Sequence, residues 1–103
     1  MGIPMYGQNK AGNSLGLLDN CLTASKTHDY GSLADEADEA TTVTCAGAAL
    51  GDFALASLSI DNEDVIMSAS VSAADVVTVN AKNIGGGTKD LGSATISVLV
   101  IKA

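Results

Sequence analysis

From Thr41 to Ala103 the chain sets apolar residues against hydroxyl-bearing or small ones at every second position, and turn signals interrupt the pattern repeatedly. A period of two sends successive side chains to opposite faces of a strand. Val65, Met67, Ala69 and Val71 mark one face, with Ser68, Ser70 and Ser72 opposite. Val77, Val79 and Ala81 alternate with Thr78, Asn80 and Lys82, and Val43 and Cys45 alternate with Thr42 and Thr44. The run Phe53–Ile60 carries Phe53 and Leu55 on one side and Leu58 and Ile60 on the other, as in a strand buried on both faces. Ala94–Lys102 is also apolar on both sides, with Ile96, Val98 and Val100 against Leu99 and Ile101. Left unpaired such a strand invites aggregation, so it is expected at the centre of a sheet or in a subunit interface.

The breaks fall at Gly47, at Gly51-Asp52, at Asp61-Asn-Glu-Asp64, at Ala73-Ala74-Asp75 and in the glycine loop Asn83–Asp90. No helix of crossover length separates the strands, which excludes a parallel sheet. Short strands between frequent turns point to an all-β fold, an antiparallel β-sandwich of jelly-roll-like type over residues 30–103. Ser32–Ala40 is the one helix-like piece, with Ser32 and Asp35 spaced as a capping box. It lacks an apolar face and runs into the β-branched residues from Thr41. The reading is an edge strand over Tyr30–Ala34 and an acidic loop over Asp35–Glu39, with a single helical turn as the alternative.

Residues 1–29 look different. Gly2, Gly7, Gly12 and Gly16 recur among Asn, Gln, Lys and Ser, and only Leu15-Gly-Leu-Leu18 and Cys21-Leu22 are apolar clusters. Such a stretch buries too little surface to order itself. It reads as an extended N-terminal arm whose apolar clusters favour ordering against a neighbour. Its first residues show no basic region followed by a long apolar run, so a secretory signal is not expected.

A chain of 103 residues holds one domain at most. Phe53, Tyr6 and Tyr30 are its only aromatic residues, so Val, Ile, Leu, Ala and Met must build the core. So small a unit buries only about 60% of its unfolded surface, which makes self-association a natural support. Twelve acids against five lysines give a net charge of −7, and arginine is absent. That balance argues against nucleic acid and against an anionic membrane surface as partners.

The chemistry-bearing residues each fail on spacing or on partners. His28 is the single histidine and reads as a surface side chain in the arm. Asp35, Glu36, Asp38 and Glu39 form one acidic cluster, and Asp61, Glu63 and Asp64 another. Neither meets the EF-hand pattern, and a glycosidase cleft lined by aromatics is not available to a chain without Trp. Gly85-Gly86-Gly87 lacks the Gly-Lys-Ser/Thr ending of a phosphate loop and reads as a turn. Cys21 and Cys45 make no zinc site by themselves; reduced packed thiols are favoured over a bridge between them. No catalytic, cofactor-binding or metal-ligating residue is assigned, and the chain is read as non-enzymatic with no cofactor.

Three stretches carry a family resemblance: Gly47-Ala-Ala-Leu-Gly-Asp-Phe-Ala-Leu-Ala-Ser57 with Val65 to Ala69, then Val71-Ser-Ala-Ala-Asp-Val-Val-Thr-Val79, then Asn83…Gly86-Gly87…Asp90-Leu91…Ser93-Ala94-Thr95. Together they resemble small bacteriophage virion structural proteins, most of all capsid decoration (cement) proteins with a β-sandwich domain. The resemblance covers residues 41–103 and departs at Cys45; the acidic Asp35–Glu39 loop is also unlike the family. It implies a protein made in the host cytoplasm and carried on the capsid surface of the virion. Its implied partners are the major capsid protein, whose neighbouring subunits it would bridge, and itself, as a homotrimer. The arm would lie along a capsid subunit. A phage tail, fibre or receptor-adhesion domain and a carbohydrate-binding module are the alternatives. The resemblance carries over no binding residue.

Overall fold

The computed structural model describes residues 20–103, and every regular element among them is a strand. In chain order these are β1 (Cys21–Asp29), β2 (Ser32–Leu33), β3 (Asp38–Thr44), β4 (Phe53–Leu58), β5 (Val65–Ala73), β6 (Val76–Asn83), β7 (Lys89–Asp90) and β8 (Ser93–Ile101). They form a three-stranded sheet in the order β1-β8-β4, another in the order β3-β6-β5, and a two-stranded ribbon of β2 and β7. All pairings are antiparallel.

The alternation read from the sequence sets the inward rows. Val43, Val65, Val71, Val77, Val79 and Ala81 from one three-stranded sheet join Ile96, Val98 and Val100 of β8 in a single buried cluster. Ala54, Ala56 and Leu58 of β4 and Leu22 and Ala24 of β1 pack against it, half-buried. Tyr30 is the one aromatic side chain in this cluster. Its hydroxyl donates to the carbonyl of Val79 at 3.0 Å, which satisfies both groups in the interior.

β8 lies between β1 and β4, the central position expected of it. The β5–β6 hairpin turns at Ala74-Asp75, where Asp75 takes a φ of 65°. Its ladder slips by one residue between Val71 and Ala73, so Ser72 is the extra residue of a bulge. Asp75 also binds the neighbouring loop: its carboxylate accepts from Gly47 N at 2.9 Å, and its carbonyl accepts from Cys45 N at 2.8 Å.

Three sequence expectations are corrected. The boundary placed after residue 29 does not hold, because residues 21–29 are β1, paired along its whole length with β8. Its inward row reads Leu22, Ala24, Lys26, His28, so two polar residues hide an apolar face. Lys26 is accommodated because its amine reaches the adjacent β3, donating to Thr41 Oγ1 at 2.8 Å and the Thr42 carbonyl at 3.0 Å. Residues 1–19 of the expected arm lie outside the described residues.

The acidic loop is shorter than Asp35–Glu39, since Asp38 and Glu39 already belong to β3. Asp38 stands opposite Lys82 in the β3–β6 ladder, and opposite charges across a strand pair are favourable. No helical turn forms among the described residues. Last, β4 is not buried on both sides: Phe53 is 64% exposed and Leu55 59% exposed. Ile60 lies beyond its end and is also exposed.

Candidate functional site: an uncharged sheet face

The outward side of the β1-β8-β4 sheet is built by register. Cys21, Ile101 and Phe53 form one row across the three strands, and Thr23, Leu99 and Leu55 the next. Ser25, Ser97 and Ser57 follow, then Thr27 and Thr95. Apolar side chains therefore gather at one end of the face and hydroxyls at the other. No charged side chain interrupts these rows; the first is Asp29, opposite Ser93 at the hydroxyl end. The strands β1 and β4 flank β8 and leave an open depression of about 720 Å³, lined among others by Thr23, Ser25, Leu55, Ser57, Ser97 and Leu99.

The outward side of the other sheet differs. It carries Asp38 opposite Lys82, and Asn80 Nδ2 donates to the Asp38 carboxylate at 3.4 Å. Its exposed large apolar side chain is Ile66. A contiguous apolar patch rimmed by polar groups on a small soluble fold marks an interaction surface more often than scattered apolar residues do. The β1-β8-β4 face has that character.

The residues singled out in the sequence occupy structural places. His28 is not a surface side chain: it lies on the inward row of β1, its ring edge-on to Tyr30 with centroids 4.7 Å apart. Its Nε2 is buried without a hydrogen-bond partner. Tyr30 is buried too, and desolvation, with the nearby Glu39 charge, pushes its hydroxyl up to about 12. It therefore presents no ring to a sugar; Tyr6 lies outside the described residues.

The acidic groups are spread over separate turns and the start of β3. Glu63 and Asp64 both pair with Lys89, at 3.9 and 3.5 Å, and Asp61 accepts from the Glu63 backbone N–H at 2.9 Å. Glu36 pairs with Lys82 at 4.0 Å. Among the described residues no three His, Cys, Asp or Glu side chains are placed to hold a metal ion. Cys45 is buried in the core, Cys21 is half-buried on the outward row, and no disulfide joins them.

The glycine loop is explained by packing. A side chain at Gly85 would collide with Asp64. Gly86 and Gly87 have φ values of 71° and 78°, a region that costs other residues strain. Asn83 anchors this loop with its side chain fully buried: Nδ2 donates to the carbonyls of Leu33 at 2.9 Å and Gly87 at 2.7 Å, and Oδ1 accepts from Gly85 N at 3.0 Å.

Asp52 has a similar anchoring part. Its carboxylate accepts from the Lys102 amine, from Ala103 N at 3.0 Å and from Ala49 N at 3.0 Å. The Lys102 and backbone hydrogen bonds hold the pKa of its carboxyl down at about 2.

Comparison with known proteins finds no match: no family model, no curated protein and no solved structure matches this chain.

Sequence reasoning missed the face itself. The outward row of β1, Cys21-x-Thr23-x-Ser25-x-Thr27, alternates at the strand period. It went unread because the inward row is weakly apolar and the flanking composition is glycine-rich.

Proposed function

We propose that this protein is a non-enzymatic viral structural protein, a capsid decoration (cement) protein of a bacteriophage. It binds the outside of the head and bridges neighbouring major capsid subunits. In this reading the two three-stranded sheets pack as a β-sandwich, and the protein works through its faces rather than through a reactive centre. The observation that carries it is the exposed, uncharged face of the β1-β8-β4 sheet. A face of apolar and hydroxyl rows on a rigid ladder suits a broad protein contact better than it suits a small charged ligand.

The residues behind the family resemblance add a second support. Asn83 and Asp52 hold loops, Asp75 sits in the β5–β6 turn, and Asp90 Oδ1 accepts from Gly92 N at 3.0 Å. These four residues of the resembling pattern thus each hold a turn or a loop in this fold. Many identical copies on one particle would turn modest contacts into strong retention.

Phage heads assembled with and without the protein test the proposal. Heads carrying it should withstand higher temperature and lower ionic strength before releasing DNA. Equal stability of the two preparations overturns the cement role. Binding of the isolated protein to host cells instead of to heads would replace it by the receptor-adhesion reading.

A further inference from the structure

We infer that the outward face of the β1-β8-β4 sheet is where a second copy of this chain docks, as a two-fold pair with its axis along β8. Three observations carry this, and none depends on the capsid role; a second copy on this face competes with the capsid for it. The first is charge. Each copy carries −7, so two copies repel wherever their acids face each other. The rows from Cys21–Ile101–Phe53 to Thr27–Thr95 contain no charge at all, and they offer a contact free of that repulsion.

The second is chemical self-complementarity. Ser25, Ser57, Ser97, Thr23, Thr27 and Thr95 carry hydroxyls that both donate and accept, so a hydroxyl row can pair with a copy of itself. Phe53, Leu55, Leu99 and Ile101 likewise pack against their own kind. A partner of basic or acidic chemistry would find nothing to pair with on these rows.

The third is the order of the rows. An isologous contact places the same patch of both subunits together. With the axis along the central strand, Leu99 meets the second copy's Leu99 and Ser97 its Ser97. The β1 row lies over the second copy's β4 row, so apolar end meets apolar end. An axis across the strands would set Phe53 against hydroxyls instead. The geometry therefore favours a pair over the homotrimer implied by the family resemblance.

The footprint sets the strength. Strands about 4.8 Å apart, nine residues long in β1 and β8 and six in β4 at about 3.3 Å each, cover on the order of 400 Å² per copy. That is about half the area each partner gives to a standard stable interface, so the pair forms reversibly. It also tightens with added salt, which screens the repulsion between the acidic copies.

Sedimentation equilibrium of the full chain from about 1 µM to about 1 mM reads this directly. The expected result is a shift from one to two copies, moving to lower concentration as salt is raised. Leu55→Glu, which places two carboxylates in each pair, should weaken association at least tenfold. Ile66→Glu, on the other sheet's exposed face, should leave it unchanged. Should Leu55→Glu fail to fold, Ser57→Asp gives the same reading from an exposed hydroxyl. A single copy at every concentration overturns the pairing, as does a three-copy mass, or equal effects of Leu55→Glu and Ile66→Glu. If the protein is monomeric, thiol labelling of Ser57→Cys names the occupant. Slow labelling means that the same chain covers the face, and fast labelling leaves it open to a different partner.

Discussion

Asn83 ties the backbone of β2 to that of the glycine loop although it is a polar side chain with no accessible surface. A buried amide is tolerated only when its donors and acceptors are met. Replacing it by Leu keeps the volume and leaves the carbonyls of Leu33 and Gly87 and the N–H of Gly85 without this partner. Asn83→Leu should cost about 2–4 kcal/mol, measured by urea unfolding. The signal was present in the sequence: the inward row Val77, Val79, Ala81 continues to position 83 at the strand period. It was read as the start of a turn because Asn is common in turns, and only its partners, some 50 residues away for Leu33, explain its burial.

Asp52 gives a pH dependence of known sign. The pKa of its carboxyl in the folded state lies near 2, below the usual 3.8, so folding favours its ionised form. That stabilisation is fully present above about pH 4 and is lost as pH falls towards 2. Asp52→Asn should therefore flatten the fall in stability between pH 4 and pH 2, read as the urea midpoint across that range, and should lower stability near neutrality. Sequence marked Gly51-Asp52 only as a turn. Lys102, its partner, is 50 positions away and invisible to local pattern.

At the level of the strand, β8 and β4 separate two kinds of apolar residue. Ile96 of β8 is fully buried, whereas Leu55 of β4 is 59% exposed. Ile96→Ala should destabilise the protein by about 3 kcal/mol through lost burial and the cavity left behind. Leu55→Ala should change stability by less than about 0.5 kcal/mol, because an exposed side chain away from caps and networks contributes little. Thermal unfolding of the two variants side by side checks the contrast. Strand existence was legible for the later part of β3 and for β5, β6 and β8 because apolar residues recur there at every second position. β1 was illegible for a physical reason: Lys26 and His28 occupy inward positions, and their acceptance depends on β3 and on Tyr30. The error at β4 was of another kind. Two apolar rows were read as two buried faces, but a strand can instead bury its alanines and show its larger residues.

Over the molecule as a whole, a core made mostly of valine replaces the aromatic core of a typical small domain. Valine has few side-chain rotamers to lose on burial, so a small area of contact is offset by a small entropic cost. Periodicity conveyed this core well. The relation between the sheets lies in contacts such as Lys26 with Thr41, which no local pattern encodes. The exposed face was likewise hidden, since nothing in an alternating pattern says which of two rows meets water.

The central place of β8 bears on how the chain is made. β1 and β4 find their shared ladder only through residues 93–101, and β1 waits some seventy residues for its partner. During synthesis the β3-β6-β5 sheet has all its strands by residue 83, while the other sheet has none of its pairings. The nascent chain therefore passes through a half-built stage, and a ribosome that stalls before position 93 leaves a product with an uncovered valine face, a natural target for chaperones and proteases.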